Sequence, residues 1–178
     1  MNRLLLFLPV FLFFLAGCQN KAVMAELDEM KAGDELADQN QALVEKYIGF
    51  WNSRDFNSLD ELLDPGVKIY VPSTSDQPMS LDDYKGWFQG IYQRFPDISY
   101  EIKDVFAVDD KVCLWWVCDA ALPGTDPDSP DAGSRLSVGA IEIYVIKDGR
   151  IIEERTEVDG LGWQQQLGYK LVPNDENN

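Results

Sequence analysis

The sequence predicts an α+β fold in which three helices precede most of a curved antiparallel sheet. Apolar residues recur at helical spacing in three segments before residue 96. After that point they alternate, or run continuously, in four segments of strand length. Helices followed by a run of strands are typical of α+β folds rather than of parallel α/β folds. The length of 178 residues suits a single domain.

The helices are predicted from apolar spacing and from the residues at their ends. Residues 40–51 carry apolar side chains every three or four positions, which indicates a first helix. Ser58, with Glu61 three residues later, has the pattern of a capping box and predicts a second, short helix. Ser80 is a suitable cap for a third helix, which Pro96 bounds.

Five strands are expected, and the last four are consecutive. They span residues 67–71, 98–108, 112–121, 136–146 and 151–158. Asp104 is the one exception to the alternation in the second of them. The third is continuously apolar, so we expect both of its faces to be covered. Asp148-Gly149 predicts a hairpin turn between the last two strands, and residues 161–167 indicate a final helical segment.

Cys113 and Cys118 fall within one predicted strand. Along a strand their spacing separates the Cα atoms by roughly 16 Å, whereas a disulfide needs about 7 Å or less. The two side chains also point to opposite faces of the strand. We therefore expect two buried thiols that do not pair with each other.

The N-terminus has the three parts of a bacterial lipoprotein signal peptide. Arg3 provides the charged start, and residues 4–15 form an apolar segment that is short for a bilayer span. Leu15-Ala16-Gly17-Cys18 resembles a lipobox, which implies cleavage after residue 17 and lipidation of Cys18. The alternative is an ordinary signal peptide that contains a cysteine.

The mature chain is expected to have three parts. Residues 18–39 form an acidic tether, residues 40–172 form the folded domain, and residues 173–178 form a flexible tail. Gln19 stands where lipoproteins of the inner membrane usually carry aspartate. If the cell is Gram-negative, we therefore expect an outer-membrane anchor that faces the periplasm.

Composition excludes several classes of function. The chain contains no histidine, which rules out nucleophiles activated by imidazole and metals ligated by histidine. Its 15 basic and 31 acidic residues give a formal net charge of −16, which argues against a nucleic-acid partner. The acidic runs at 153–154 and 126–131 lack EF-hand spacing, so no metal site is predicted.

Motifs spread over residues 41–168 resemble those of the SnoaL-like polyketide cyclase and ester cyclase family, within the nuclear-transport-factor-2-like superfamily. The motifs are YIGFWNSRD at 47–55, LDELLDPGV at 59–67, FPD at 95–97, KDGRIIEE at 147–154 and DGLGWQQQLG at 159–168. The resemblance implies a cone-shaped barrel with a pocket between sheet and helices. It also implies a homodimer formed through the outer sheet face as a candidate assembly.

The same resemblance implies chemistry that needs neither metal nor cofactor. In the family's cyclases, an acidic residue works as general acid/base on a carbon acid next to a carbonyl and drives an aldol-type ring closure. Asp159 occupies the matching position near the end of the last strand. Two polar positions depart from the family pattern, because Tyr70-Val71-Pro72 replaces His-Asp-Pro and Glu154-Arg155 replaces His-Trp.

For the acidic candidates, a structural role is the alternative to a role in catalysis or substrate binding. Asp159 is a candidate acid/base residue, and it is also well placed to cap the last helix. Glu142 lies in an apolar strand and faces either the pocket or an exposed sheet face. Glu154 and Arg155 are expected to form ordinary ion pairs on the surface or at the pocket rim.

Aromatic residues supply the other candidates for substrate binding. Together with Glu142, the candidates are Tyr70, Tyr144, Trp116, Trp51, Trp87 and Phe88. The alternative for such aromatic stripes is packing within the core.

Two functions are compatible with these observations. The first is a lipid-anchored protein that binds a small, apolar carbonyl compound and acts as a cofactor-independent cyclase, isomerase or hydrolase, with Asp159 as acid/base. The second is a non-catalytic module for ligand binding or protein assembly on the cell envelope, because a fold does not fix a function.

Overall fold

The structure is a computed structural model that describes residues 8–122, 134–170 and 172, with side chains described from Lys21 onward. Its elements are α1 (Leu8–Ser53), α2 (Leu59–Leu62), β1 (Leu63–Tyr70), α3 (Leu81–Arg94), β2 (Ser99–Val108), β3 (Lys111–Ala121), β4 (Arg135–Lys147), β5 (Arg150–Val158) and α4 (Gly160–Gln166). This order confirms the predicted α+β class. The start of the signal peptide, the acidic run at 126–131 and the tail at 173–178 lie outside the described residues.

The five strands form one curved sheet in the order β1-β5-β4-β3-β2. Strands β2 to β5 pair antiparallel, as predicted. Strand β1 pairs in parallel with β5, so the sheet is mixed and not wholly antiparallel. The sheet is also not closed into a complete barrel. Because β1 is an edge strand, Pro65 within it interrupts no inner ladder of hydrogen bonds.

Helix α1 begins at Leu8, far earlier than the predicted start at residue 40. The side chains of residues 21–32 are exposed, and burial begins at Asn40, whose amide donates a hydrogen bond to the carbonyl oxygen of Asp109 at 2.8 Å. Apolar spacing missed the earlier turns because they pack against little of the core, while their alanine, glutamate, leucine and methionine residues favour a helix intrinsically. Within the described part of the chain, no helix is both long and apolar enough to cross a membrane.

The caps of the next two helices differ in how well the sequence predicted them. The prediction of a capping box at Ser58 is wrong, because Ser58 already has helical backbone angles and its side chain makes no capping hydrogen bond. Asp55 caps the preceding 3-10 turn instead, with its carboxylate accepting from the backbone N–H of Asn57. The cap of α3 is confirmed: Ser80 accepts from the backbone N–H of Asp83, and the Asp83 carboxylate accepts from the backbone N–H of Ser80.

The prediction that both faces of β3 are covered is wrong. Its side chains alternate in burial, and Trp115 is 49% exposed. The inner face packs against α1, while the outer face is open to solvent. We call this open surface the outer sheet face and define it by Phe106, Trp115, Ile141 and Ile143.

The two cysteines of β3 are free thiols on opposite faces, as the strand geometry requires. Cys118 is buried, which agrees with the sequence. Cys113 is only half-buried, because it points to the outer sheet face and not to the core.

Helices α1 and α3 place a core of aromatic and aliphatic side chains against the inner face of the sheet. Tyr47 and Trp51 project from α1, and Tyr84 and Phe88 project from α3. Leu114 meets them from β3 and is fully buried. Where this aromatic layer meets β4 and β5, it leaves a cavity.

Candidate functional site

A cavity of about 240 Å³ lies between the helices and the inner face of the sheet. Its lining is almost wholly apolar, apart from two carboxyl groups and a few hydroxyls. The lining residues are Trp51, Val71, Tyr84, Trp87, Phe88, Ile91, Tyr100, Trp116, Cys118, Glu142, Glu154, Thr156, Val158 and Trp163. None of these is basic, so the described wall offers no cation to an anionic ligand.

The strands bring the two carboxyl groups into the wall by different routes. Along β4, every second side chain is buried, so Glu142 shares the inner face with Tyr144. On β5 the register shifts: Val145 pairs with Glu153, but Ile146 pairs with Ile151, which leaves Ile152 as an extra residue. This bulge turns Glu154 inward, where simple alternation from Ile151 would place it outside.

Hydroxyl groups surround the carboxyl of Glu142, which is 2% exposed. The Tyr144 hydroxyl donates a hydrogen bond to Oε2, and Thr156 Oγ1 lies 3.1 Å from Oε1. Glu142 therefore has a separate partner for each of its oxygens.

Glu154 is 1% exposed and has its own set of hydroxyl partners. The Tyr47 hydroxyl donates to Oε2 at 2.7 Å, and the Tyr84 hydroxyl lies 3.5 Å from Oε1. Thr156 Oγ1 lies 3.4 Å from the same Oε1. The hydroxyls of Tyr47 and Tyr84 are also hydrogen-bonded to each other.

The environment of the pair favours the protonated form of both carboxyls. Burial raises the pKa of Glu142 to about 7, although the hydroxyl partners and the nearby indole of Trp116 oppose the rise. Burial, together with the charge of Glu142, raises the pKa of Glu154 well above its usual range. Near neutral pH, Glu154 therefore holds a proton while Glu142 can give one up.

The three tyrosines of the network remain protonated donors. Burial raises the pKa of Tyr47, Tyr84 and Tyr144 well above the usual value, and the neighbouring glutamates raise it further. No tyrosinate therefore competes with the glutamates for the role of base.

Aromatic rings form most of the remaining wall. The rings of Trp51 and Trp116 meet edge to face with centroids 5.2 Å apart, and Phe88 lies 5.8 Å from Trp51. The indole N–H groups of both tryptophans are buried without a hydrogen-bond partner among the described residues, although that of Trp116 lies near enough to Glu142 to affect its pKa. Trp87 is 41% exposed and therefore stands where the cavity meets solvent.

The structure brings together most, but not all, of the residues that the sequence nominated. Glu142, Trp51, Trp87, Phe88 and Trp116 line the cavity. The two alternatives for the aromatics prove compatible, because buried core rings such as Trp51 also form the wall.

Three nominated residues lie outside the wall. Tyr144 is buried behind Glu142 and contacts it through the hydroxyl. Tyr70 is half-buried beneath the guanidinium of Arg155, 4.1 Å from its ring centre. Asp159 is exposed and caps α4, with its carboxylate accepting from the backbone N–H of Gly162 at 2.8 Å. This geometry matches the structural alternative for Asp159 and gives no support to its acid/base role.

The sequence missed Glu154, Tyr84 and Thr156 as members of the site. The expected surface or rim pairing is wrong for Glu154, which is buried. It is confirmed for Arg155, which forms a partly exposed ion pair with Glu153 at 2.7 Å. The hairpin motif at Asp148-Gly149 predicts a regular strand in which Glu153 faces inward, because the motif contains no sign of the bulge. A one-residue change of register need not be marked by any particular residue type, so the sequence pattern did not reveal it.

Comparison with known proteins identifies relatives for this fold. The family model for SnoaL-like polyketide cyclases matches residues 41–167. Among curated proteins, none matches the chain significantly.

Several solved structures have a similar fold, and the matched region includes nearly the whole of each of those chains. IdmH of Streptomyces antibioticus, a candidate polyketide cyclase, is 25% identical with a TM-score of 0.64, over 74% of this chain and 99% of its own. TsrD of Streptomyces laurentii is 26% identical with a TM-score of 0.60, over 74% and 96%. AclR of Streptomyces galilaeus, a candidate hydroxylase, is 24% identical with a TM-score of 0.64, over 78% and 91%.

Proposed function

The chain belongs to the SnoaL-like polyketide cyclase family, and we propose that its cavity binds a small, neutral, mostly apolar carbonyl compound and moves a proton on it. The observation that carries this proposal is the pair of buried carboxyl groups, Glu142 and Glu154, in an otherwise apolar wall. Desolvated carboxyls whose pKa is raised by their surroundings are one established means of acid/base chemistry near neutral pH, and this chain has no histidine for that role.

The two carboxyls are suited to different roles. Glu142 in its ionised form takes a proton from the carbon next to the substrate carbonyl, and the electron pair of the C–H bond becomes an enolate. The enolate carbon then forms a bond to a second carbonyl carbon in the same molecule. Glu154 gives its proton to the new alkoxide, so the product is an isomer of the substrate and no cofactor takes part in the sequence.

The size and charge of the cavity limit the ligand. A volume of about 240 Å³ is below the usual range of about 300–1,000 Å³ for drug-sized ligands, so it favours a compound of one or two rings. An anionic ligand is disfavoured, because the described lining holds two acidic residues and no basic one. The aromatic walls favour a flat ligand.

A proton-exchange experiment tests this proposal without a known substrate. Acetophenone in D₂O serves as the probe, and the replacement of its methyl hydrogens by deuterium is followed by NMR. We expect the protein to accelerate exchange, and Glu142→Gln to remove at least about 100-fold of the acceleration, in line with the loss of a general base. Glu157→Gln, an exposed residue of the same strand, is the matched control.

Two results would count against the proposal. One is an absence of accelerated exchange at saturating probe, measured beside a bound-state signal such as quenching of tryptophan fluorescence. The other is equal exchange by wild type and by Glu142→Gln. Binding without exchange would favour the second function, a non-catalytic ligand-binding module.

The outer sheet face supports an assembly role alongside the cavity. Four large apolar side chains on it are between 45% and 56% exposed, which is more apolar surface than isolated exposed residues explain. We propose that this face forms a homodimer. Sedimentation velocity of the wild type and of Ile143→Lys tests the proposal, since the variant should be monomeric and a monomeric wild type would contradict it.

The lipid anchor is proposed from the sequence of the N-terminus. The lipobox-like Leu15-Ala16-Gly17-Cys18 supports attachment of acyl chains to Cys18, and residues 21–32 are an exposed stretch that spaces the domain from a membrane surface. Full-length protein in a Gram-negative host should fractionate with the outer membrane, and Cys18→Ala should release it. Mass spectrometry of an unmodified wild-type Cys18 would refute the proposal.

A further inference from the structure

The hydroxyl of Thr156 lies between the two carboxyl groups. Its Oγ1 lies 3.1 Å from Oε1 of Glu142 and 3.4 Å from Oε1 of Glu154, and the residue is 2% exposed. A threonine hydroxyl has one proton to donate, so it cannot donate to both carboxyls at once. When it donates to one, its lone pairs are free to accept from the other.

We infer that the Thr156 hydroxyl is a relay that carries a proton between Glu154 and Glu142. The protonated carboxyl of Glu154 donates to Oγ1, and the Thr156 O–H donates to the carboxylate of Glu142. Once Glu142 holds a proton and Glu154 has lost its own, the donors reverse: as the Glu142 proton moves to Oγ1, the proton of Thr156 moves to Glu154. The hydroxyl is restored and the charge of the pair is unchanged.

The other hydroxyls of the network do not provide this connection. Tyr144 is hydrogen-bonded to Glu142, whereas Tyr47 and Tyr84 are hydrogen-bonded to Glu154. Among the described residues, Thr156 is the one hydroxyl within hydrogen-bond distance of both carboxyls. The separation of the tyrosines into two groups makes Thr156 the link between them.

The relay extends the proposed function and rests on it. After one ring closure, Glu142 holds the proton that it removed and Glu154 has lost the proton that it gave. Transfer from Glu142 through Thr156 to Glu154 restores the starting state. Because an isomerisation neither consumes nor releases a proton, this reset needs no net uptake of protons from bulk water, although the protons of the pair can still be replaced by deuterons from D₂O.

Variants of Thr156 separate the relay from simple packing. Thr156→Val keeps the shape of the side chain and removes the hydroxyl, and Thr156→Ala removes the hydroxyl with less volume in case the valine variant folds poorly. Thr156→Ser keeps the hydroxyl and is the matched control. Circular dichroism and tryptophan fluorescence check the fold of each variant.

The first measurement follows deuterium exchange on acetophenone. We expect valine and alanine variants to exchange at least about tenfold more slowly than wild type, with probe affinity unchanged within about twofold, and the serine variant to remain within about threefold of wild type. Wild-type rates in both hydroxyl-free variants would overturn the relay. So would an equal loss in all three variants, since that result assigns Thr156 a packing role.

The second measurement needs no turnover. Difference infrared spectroscopy between pH 5.5 and pH 9 follows the carbonyl stretch of protonated carboxyl groups. The pH at which half of this signal is lost gives the apparent pKa of the Glu142–Glu154 pair. Since the Thr156 hydroxyl lowers the pKa of Glu142, removing it should raise this midpoint by about half a pH unit or more, and serine should restore it. An unchanged midpoint in Thr156→Val overturns the inference even if acetophenone proves not to exchange, a result that would count against the proposed function alone.

Discussion

The buried carboxyl pair predicts that this protein loses stability as pH rises from 5 to 8. In the folded state, burial raises the pKa of Glu142 from 4.5 to about 7. Between these two values the unfolded chain has released the proton while the folded chain still holds it. The free energy of unfolding therefore decreases with rising pH, because stability falls wherever the folded state binds more protons.

The magnitude follows from the width of this pH window. Each pH unit between the unfolded and folded pKa values corresponds to about 1.4 kcal/mol, so Glu142 alone accounts for a loss of about 3 kcal/mol. Glu154 acts in the same direction, because burial raises its pKa as well. The chain has no histidine, so no side-chain type present has an ordinary pKa between 5 and 8, and the dependence in this range comes from groups with a shifted pKa.

Urea denaturation followed by tryptophan fluorescence at pH 5, 6, 7 and 8 measures this dependence. Glu142→Gln imitates the protonated carboxyl, so it should make the pH dependence shallower and be more stable than wild type at pH 8 by up to about 3 kcal/mol. Glu157→Gln should keep the wild-type slope. Wild-type stability that is constant or rising across this range would refute the reasoning, since it would mean that the carboxyls are not buried as described.

Three further predictions concern single residues. Asp159→Ala should lower stability by about 1 kcal/mol through loss of the α4 cap, seen in urea denaturation, and should leave acetophenone exchange unchanged within about twofold. Trp87→Ala should weaken acetophenone binding measured by fluorescence while costing little stability, because that ring is at the solvent edge of the cavity. In a Cys18→Ser protein, Ellman's reagent at pH 8 should modify Cys113 before Cys118. Burial raises the pKa of both thiols, but Cys113 is only half-buried, whereas the pKa of Cys118 rises to about 11; equal rates would contradict the assignment of Cys118 to the core.

Elements whose residues follow a single period were predictable. Helix α3 shows the Ser80 cap and an apolar stripe, and both appear in the structure. Strand β4 alternates in burial without interruption, so the sequence correctly placed Glu142 and Tyr144 on one face of the strand, although it left open whether that face is the inner one. In each case local preference and tertiary packing favour the same arrangement.

Two features that the sequence did not explain depend on changes of register. Asp104 interrupts the alternation of β2 because a bulge lies between Ile102 and Asp104. The bulge on β5 reverses the direction of Glu154 in the same manner. A one-residue insertion moves every later side chain to the other face of the sheet. Asp104 marked the bulge in β2, whereas no residue type marks the bulge in β5. The second carboxyl of the site was therefore hidden, while the visible candidate, Asp159, lies just past the strand.

The buried carboxyl pair lowers the stability of the fold, whereas the proposed acid/base function requires it. Two buried carboxyls without a cationic partner among the lining residues are costly, and apolar residues of similar volume would stabilise the fold. The hydroxyls of Tyr47, Tyr84 and Tyr144 reduce that cost but leave the pKa of each glutamate raised. A purely structural network gains nothing from a proton that is released near neutral pH, whereas acid/base chemistry requires one. Glu142→Gln should therefore raise stability at pH 8 and abolish exchange together, and a variant that lost both would instead indicate a structural role.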